Sequence, residues 1–459
     1  MLHIKLLLTP IQMHRMNKEE PLELTSDSIN SIESLYKQNL DFLYNQLPMF
    51  QNVGKVAFKA NLDNTYSLCE ILDNPQKKIK TIHIAGTNGK GSVAHMLAAI
   101  FQSAGYKTGL YTSPHYTEFR ERIKVNGEMV SKSFVNTFLD KVRSQVKEMQ
   151  PSFFELTVAM AFDYFRNEQT DINIIETGMG GRLDSTNVIL PELTIITNIG
   201  LDHTAFLGDT LELIAAEKAG IIKENTAVVC GAMNDSALQV IKNIALSRNA
   251  PVYQTVQSHQ IKSSSNGTFD YDLGEDFLID EVNPSLKGAF QQENIHTVLT
   301  AIKILKNKFN LDVSSIKNGL ENTRELTSMW GRLHFIAQNP TIVLDGAHNE
   351  EAIKSVINDI KAIKYENLHI IIGFVSDKNP EKFLKYLPIN AAYYISKPSV
   401  IRGMDVNVLA GFFVDSKREF SIHSTVNEAY LSAVNKAGNN DCIFVTGSIF
   451  TVSDVLVSL

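Results

Sequence analysis

The chain has 459 residues, of which 44% are hydrophobic and 20% are charged, and its formal net charge at pH 7 is −7. This composition is typical of a globular protein in water, and the length predicts two or three domains. The negative net charge argues against nucleic acid or an anionic membrane as a partner, because both require a large basic surface.

The cysteines and the N-terminus bear on where the protein works. Cys69, Cys230 and Cys442 are far apart and form no C-x-x-C pair, which favours a reducing cytoplasm over a disulfide framework or a zinc site. Polar side chains interrupt every long apolar run, so we expect no transmembrane helix. The start of the chain has too short an apolar core for a signal peptide, and we expect residues 1–28 to form a disordered tail.

From residue 29 to residue 330 the apolar side chains recur with helical and strand spacing in alternation. In chain order the spacing predicts a helix over 29–47, a strand before Gly86, a helix that ends at Gly105, a strand over 108–111 and a helix over 151–165. Strands over 171–176 and 193–198 follow, and then a helix that begins with an Asp209–Glu212 capping box and ends at 218–220. A polar surface excursion over 262–276 and a helix over 323–330 complete the pattern. Strands that alternate with helices indicate a doubly wound parallel sheet with helices on both faces.

A second α/β pattern begins after residue 330. It has strands near 341–345, 368–373, 391–395 and 442–446, with helices between them. We therefore place a domain boundary near residue 330, which predicts a first domain over 29–330 and a smaller C-terminal α/β domain over 331–459.

Three closely spaced glycines and a lysine join the first predicted strand to its helix. The stretch reads Gly86-Thr87-Asn88-Gly89-Lys90-Gly91-Ser92. Such a turn brings backbone N–H groups, the positive end of a helix dipole and a lysine charge together around phosphate. The spacing differs from the common G-x-x-x-x-G-K-[ST] pattern, because a glycine separates the lysine from the serine. We predict a variant ATP-phosphate loop; the alternative is a glycine turn that binds nothing.

Polar side chains follow three other predicted strands of this domain, namely Ser113, Glu176 and His203. Because the carboxyl ends of parallel strands meet at one edge of a sheet, we expect these groups beside the phosphate loop. One hydroxyl, one carboxylate and the ATP oxygens would form a Mg²⁺ shell, in which a histidine is an unusual ligand. Each has a structural alternative: Ser113 caps a turn, Glu176 pairs with Arg182, and His203 is a core histidine.

Eight ordered motifs, spread over roughly residues 35 to 450, show a resemblance to the folylpolyglutamate synthases and dihydrofolate synthases of the Mur-ligase superfamily. They are the glycine loop at 86–92, Thr112-Ser113-Pro114-His115 with Phe119 to Ile123, Glu176 to Asn187, Asn198 to His203, Glu217 to Ile221, Trp330-Gly331-Arg332-Leu333, Asp345 to Asn349, and Thr446-Gly447-Ser448. The segment Pro48 to Gly54 differs from the pattern of the best-known bifunctional members, and the hinge motif lacks the usual proline.

The resemblance implies roles for residues on both sides of the domain boundary. The ATP phosphates would be bound by Gly86, Thr87, Asn88, Gly89, Lys90, Gly91 and Ser92, and ATP would be contacted from the domain junction by Asn294, Arg332 and Asp345. Magnesium would be bound by Ser113, Glu176 and His203. The incoming glutamate would be received by His348 and Ser448, and the pterin-bearing substrate by Phe154, Glu155 and Asp184.

The residue pattern and the resemblance indicate different roles for Lys218. A lysine near a helix C-terminus is most simply explained as a complement to the helix dipole. The resemblance instead implies that Lys218 is carbamylated and that the resulting carboxylate holds a second magnesium ion. Lys90, Lys218 and His203 are then the residues expected to act in catalysis.

The implied reaction is ATP-driven amide formation between a pterin-linked carboxylate and L-glutamate, through an acyl phosphate. We expect a bifunctional, monomeric, cytoplasmic enzyme that acts on dihydropteroate and on folates. The alternatives are a folylpolyglutamate synthase only, a Mur-type ligase of cell-wall precursors, and a non-catalytic module in which ATP switches the domain hinge. A pure switch has no need of a second metal site.

Overall fold

A computed structural model of the chain describes residues 5–6, 26–45, 47–48, 61–255, 260–263, 268–272, 274, 278–306 and 308–459. Within these ranges, no helix is both long enough and apolar enough to cross a membrane. The segment 49–54, which departs from the bifunctional pattern, lies outside them.

The elements up to residue 327 build the first part of the molecule, except β1, which joins the sheet of the second part. In chain order they are β1 (Lys5–Leu6), α1 (Ser26–Asn45), α2 (Asp63–Ile71), β2 (Thr81–Ala85), α3 (Lys90–Ser103), β3 (Thr108–Tyr111), β4 (Ile123–Val125), β5 (Glu128–Met129), α4 (Lys132–Met149), α5 (Phe153–Asn167), β6 (Ile172–Glu176), β7 (Leu193–Ile196), α6 (Thr204–Leu207), α7 (Leu211–Ala219), β8 (Val228–Cys230), α8 (Asp235–Ser247), β9 (Val252–Gln254), β10 (Gln260–Ser263), β11 (Phe269–Asp272), β12 (Leu278–Val282), α9 (Phe290–Leu305), α10 (Val313–Glu321) and α11 (Thr323–Thr327). Three short 3₁₀ turns join them, at Pro75–Lys77, Phe119–Arg122 and Ser185–Val188.

The large sheet of this part has the strand order β5-β4-β3-β6-β2-β7-β8-β9. The strands from β3 to β9 in that order are parallel, and β4 and β5 add an antiparallel edge. Every residue of β2 and β6 is buried, as expected for parallel strands covered by helices on both faces. The glycine loop follows β2, a central strand, so it opens at the carboxyl edge of the sheet, where α/β folds bind ligands.

The second part begins after the linker at 328–333. Its elements are β13 (His334–Gln338), β14 (Thr341–Leu344), α12 (Glu350–Ala362), β15 (Leu368–Ile372), α13 (Pro380–Leu384), β16 (Ala392–Ser396), α14 (Val406–Asp415), β17 (Phe420–His423), α15 (Val426–Lys436), β18 (Cys442–Thr446) and α16 (Ile449–Val457). The sheet order is β1-β13-β14-β18-β15-β16-β17, parallel from β14 onward and antiparallel at β13 and β1. The predicted doubly wound α/β domain followed by a smaller α/β domain is confirmed, with mixed rather than purely parallel sheets.

Several local predictions need correction. The helix expected over 29–47 begins at Ser26, and Lys5–Leu6, inside the expected disordered tail, pair with β13. The cap of α7 is Thr210, whose hydroxyl accepts the Leu213 N–H, because Asp209 lies one residue too early for the first turn.

The polar stretch at 262–276, expected as a surface excursion, contains regular structure. Its described residues belong to the antiparallel sheet β10-β11-β12, and Tyr271 is fully buried in the core that surrounds α9. The Tyr271 hydroxyl donates to Gln292 Oε1 at 3.0 Å, which satisfies the polar end of a buried tyrosine.

Candidate active site

The glycine loop between β2 and α3 is shaped by contacts that tolerate no side chain. Gly89 has φ +84°, and a Cβ there would lie 2.3 Å from Asn294 Oδ1. Asn198 Oδ1 accepts the N–H groups of Thr87 and Asn88, at 3.2 and 2.8 Å. The loop is therefore held open in one conformation with the N-terminus of α3 behind it, which is the geometry of an anion site.

Lys90 curls back over this loop. Its Nζ donates to Gly86 O at 3.0 Å and to Thr87 O at 3.2 Å, and burial lowers its pKa while the charge of Glu176 raises it. A phosphate in the loop would supply the full negative charge that these two carbonyls lack.

Glu176 and Ser113 meet beside the loop, as the strand-end argument predicts. Glu176 ends β6, is buried, and accepts the Ser113 N–H at 3.2 Å. A Cβ on Gly91 would lie 3.8 Å from both carboxylate oxygens of Glu176, so the carboxylate borders the first turn of α3. Burial raises the pKa of Glu176 and the charge of Lys90 lowers it. Arg182 does not pair with Glu176; it binds Glu217 at 2.8 Å.

Lys218 lies on α7 and points into the same space. Its Nζ donates to Gly86 O at 2.7 Å, and the residue is 4% exposed. Burial, reinforced by the charge of Lys90, lowers the pKa of Lys218 to about 7. A lysine that only complemented the helix dipole would extend into water, so the geometry disagrees with that simpler explanation.

His203 and its neighbour Asp202 form the boundary between the two parts. His203 has a left-handed backbone, φ +50°, and burial lowers its pKa to about 4, which leaves the imidazole neutral at pH 7. Asp202 accepts from Lys378 Nζ at 2.9 Å and lies 3.4 Å from His348 Nε2. Both of these partners come from the second part of the chain.

Arg332 lies in the linker, where three consecutive residues have a left-handed backbone. Gly331, Arg332 and Leu333 all have positive φ, at +66°, +57° and +48°. The Arg324 guanidinium donates to the carbonyls of Gly331 and Arg332, at 2.9 and 2.7 Å. Asp345 accepts the Leu333 N–H at 2.7 Å, and the charges of Arg332 and Asp345 favour each other's ionised form. Hydrogen bonds from residues on both sides of the linker therefore fix its backbone.

Two predicted residues use their polar atoms within their own loops. Asp184 accepts the N–H groups of Gly178 and Met179, at 2.8 and 2.9 Å, and the Thr186 hydroxyl. Ser448 accepts the Thr451 N–H at 3.0 Å and caps α16. These contacts organise the loops, and each side chain still borders the cavity.

The other predicted substrate residues, Phe154, Glu155 and His348, also line the cavity. Phe154 lies against Gly178, where a Cβ would come within 2.5 Å of its ring. Glu155 closes a capping box with Ser152 and has one buried oxygen, Oε1, without a hydrogen-bond partner among the described residues. In the second part of the chain, His348 Nδ1 lies 3.1 Å from Gly346 O.

One cavity of about 680 Å³ between the two parts brings all of these residues together. The predicted residues that line it are Gly86, Thr87, Asn88, Gly89, Lys90, Gly91, Ser92, Ser113, Phe154, Glu155, Glu176, Asp184, His203, Lys218, Asn294, Arg332, Asp345, His348 and Ser448. Seven further charged residues line the wall and were not assigned from the sequence: Arg122, Asp202, Glu293, Glu351, Asp377, Lys378 and Arg402. Arg122 and Asp202 lie inside motifs that carry the resemblance, whereas no local pattern marks Lys378.

Comparison with known proteins identifies the family. The Mur ligase middle domain matches residues 84–302, and the Mur ligase glutamate ligase domain matches residues 331–449. The dihydrofolate synthase/folylpolyglutamate synthase of Bacillus subtilis (strain 168) is 33% identical, over 87% of this chain and 95% of its own. The folylpolyglutamate synthase of Lacticaseibacillus casei is 31% identical, over 86% and 93%.

A solved structure agrees with these matches. The bifunctional folylpolyglutamate synthase/dihydrofolate synthase of Yersinia pestis, complexed with AMPPNP and a Mn ion, superposes with a TM-score of 0.80 at 27% identity, over 92% of this chain and 97% of that one. With two Mur ligase domains, a cavity between them and relatives matched over nearly their whole length, the chain belongs to the dihydrofolate synthase/folylpolyglutamate synthase family of ATP-dependent ligases.

Proposed function

We propose that this protein uses ATP to join L-glutamate, through an amide bond, to dihydropteroate and to the γ-carboxylate of folyl-glutamates. The observation that carries the proposal is the single cavity bordered by the glycine loop, the Phe154 wall and His348. Three reactants must meet for this reaction, and the cavity offers each a chemically different wall.

The first wall suits a nucleotide with a divalent cation. No group of three His, Cys, Asp or Glu side chains in the described parts of the chain is arranged to hold a metal by itself. Ser113 and Glu176 offer one hydroxyl and one buried carboxylate, which suits Mg²⁺ when phosphate oxygens and water complete the shell. His203, kept neutral by burial, has the protonation state that a ligand needs. When bound, the cation would neutralise the phosphate oxygens.

Carbamylation of Lys218 fits its surroundings. Only a neutral amine adds carbon dioxide, and burial keeps much of Lys218 neutral near pH 7. The added group would carry a negative charge beside Lys90, which would offset the repulsion between the two lysines. The carboxylate would also supply the oxygen donors for a second Mg²⁺.

The chemistry has two balanced steps. A substrate carboxylate oxygen attacks the γ-phosphorus, the bond to the β–γ bridging oxygen breaks, and an acyl phosphate and ADP form. The glutamate nitrogen then attacks the acyl carbon, phosphate leaves, and the nitrogen loses a proton. Lys90 and the loop N–H groups stabilise the transferring phosphoryl group, and the second domain shields the acyl phosphate from water.

We further propose that His348 and Ser448 receive glutamate and that Phe154, Glu155 and Asp184 surround the pterin. In this arrangement Asn294, Arg332 and Asp345 contact ATP from the junction. We expect a monomer in the cytoplasm, with the described cysteines free and buried; light scattering and cell fractionation test these two points.

The deciding assay measures ATP-dependent incorporation of labelled L-glutamate into dihydropteroate and, separately, into tetrahydrofolate. Incorporation into both supports the bifunctional enzyme, and incorporation into tetrahydrofolate alone supports the second candidate, a folylpolyglutamate synthase, whose name the Lacticaseibacillus casei relative carries. ATP hydrolysis with neither product contradicts both. Incorporation of an amino acid into a cell-wall precursor would support the other Mur-type alternative.

A second assay tests the carbamate. Lys218→Ala removes the amine, and we expect a rate loss of at least about a hundredfold. Short carboxylic acids, added in excess, should restore part of the rate by occupying the vacated space. Isotope-labelled bicarbonate should label the wild-type protein and not the variant; no labelling and an unchanged rate contradict the proposal.

A further inference from the structure

Arg122 is a buried cation on the cavity wall that none of the steps above uses. It ends the 3₁₀ turn Phe119–Arg122, directly before β4, and is 3% exposed. The same turn also carries Arg120, whose guanidinium pairs with Glu118 and does not border the cavity.

The surroundings of Arg122 provide a hydrogen bond and an aromatic face, while the charges of Glu121 and Glu176 act on it without forming an ion pair. Its Nε donates to His115 Nδ1 at 2.8 Å, and its Cζ lies 5.1 Å from the centre of the Phe153 ring. Burial lowers the pKa of the neighbouring His115, so the histidine is a neutral acceptor. No carboxylate of a described residue forms an ion pair with Arg122, and the sequence from 49 to 60 contains no Asp or Glu.

A buried, unpaired guanidinium is costly unless an anion reaches it. Arginine remains charged even when buried, because its pKa is too high for it to lose the proton at neutral pH. The hydrogen bond to His115 uses the Nε donor of the fork, and the two terminal nitrogens carry four more N–H groups, with the Tyr111 hydroxyl beside them. Such a fork matches the two oxygens of a carboxylate.

The position of Arg122 indicates which anion it binds. The ATP phosphates already have Lys90, at the start of α3, and the N–H groups of the loop between β2 and α3. Arg122 borders the aromatic side of the cavity, against Phe153 and beside Phe154, and it also interacts electrostatically with Glu176 at the metal corner. A carboxylate attached to an aromatic group, with its ring along this wall, would therefore lie between Arg122 and the γ-phosphate.

We propose that Arg122 binds the acceptor substrate's carboxylate, the group that becomes the amide, and orients it toward the phosphate loop. The inference rests on the proposed function and adds a specific residue to it. Arg122 would hold the carboxylate ionised and would balance its charge as it approaches the phosphates.

The test compares two ligands that differ only in this charge: dihydropteroate and its neutral carboxamide. In the presence of a non-hydrolysable ATP analogue, wild-type protein should bind the acid at least about tenfold more tightly than the carboxamide. Arg122→Met should abolish this preference, and it should raise the KM of the acceptor about tenfold or more while the KM of ATP changes less than about twofold. Arg122→Lys should keep part of the preference.

Arg120→Met is the matched control, because it removes an arginine from the same turn without touching the cavity. It should leave the acid-to-carboxamide ratio unchanged, and thermal unfolding checks that each variant folds. A wild-type protein that binds both ligands equally overturns the inference, as does an Arg122→Met variant that keeps the preference or raises mainly the KM of ATP. A wild-type protein that binds neither ligand contradicts the proposed function itself.

Discussion

The Nζ of Lys378 lies 2.9 Å from Oδ1 of Asp202, and this ion pair joins the two domains at the edge of the cavity. Both side chains are mostly buried, at 16% and 12% exposed. Separation of the domains would leave both charges without their partner, so this contact favours the arrangement in which Lys378 and His348 lie beside Asp202.

Lys378→Met should therefore weaken the joined arrangement. We expect kcat/KM for L-glutamate to fall about tenfold or more, because the second domain no longer holds its residues against the first. ATP hydrolysis without glutamate incorporation should rise, since water reaches the acyl phosphate. Lys385→Met, which breaks the exposed pair with Glu350 within the second domain, is the control and should change neither rate. An unaltered glutamate dependence in the Lys378 variant would refute this prediction.

Arg324 should matter for stability more than a typical arginine. Its guanidinium is buried and binds the carbonyls of Met329, Gly331 and Arg332. Arg324→Met leaves these acceptors without a donor, and we expect the free energy of unfolding to fall by about 2–4 kcal/mol in urea titrations. Lys107→Met, which removes a half-exposed pair with Glu168, should cost less than about 1 kcal/mol. Equal losses in the two variants would contradict the role given to Arg324.

The lowered pKa of Lys218 predicts a pH dependence of stability. The folded-state pKa is about 7 and the ordinary value is 10.5. Between these values the unfolded chain binds the proton and the folded chain does not, so this lysine makes stability rise with pH from about 7 to about 10, by at most about 1.4 kcal/mol per pH unit. Urea titrations in bicarbonate-free buffer should show a steeper rise for wild type than for Lys218→Met. Parallel curves for the two proteins would rule out the shifted pKa.

Gly89 tests the shape of the phosphate loop. Alanine at this position meets both a positive φ and the amide oxygen of Asn294, so Gly89→Ala should destabilise the fold by about 1–3 kcal/mol and raise the KM of ATP. Gly411, on α14, has open space around its Cα, and Gly411→Ala should stabilise the protein by about 0.5–1 kcal/mol. Thermal unfolding and ATP titration compare the two; a Gly89 variant with normal ATP affinity would show that the loop can rearrange.

Local patterns in the sequence account for most of the fold. The strand expected near 442–446 is Cys442–Thr446, and the helix expected over 151–165 is Phe153–Asn167, because a continuous apolar run and a helical apolar stripe are strong local signals. The small sheet around Tyr271 was missed, since polar residues surround one buried aromatic and its partners lie far along the chain.

The residues of the site likewise divide into those with a local sequence signal and those that depend on contacts between distant segments. Gly86 to Ser92 and Glu176 follow strands, and the order of elements alone brings them to one edge. The pairing of Asp202 with Lys378 spans 176 positions, and no pattern within either segment encodes it. Arg122 lies in a recognisable motif, but the absence of an ion-pair partner for it among the described residues is a property of the packed structure.

The clamped linker at 331–333 sets a limit on how this protein can be altered. Arg324 in one domain and Asp345 in the other hold opposite sides of the same three residues, so the side chain of Arg332 has its place defined by both domains at once. Lengthening the chain by a single residue at this point would break the register of both sets of bonds and move that charge out of the cavity. Circular permutation or tag insertion should therefore be placed far from this junction.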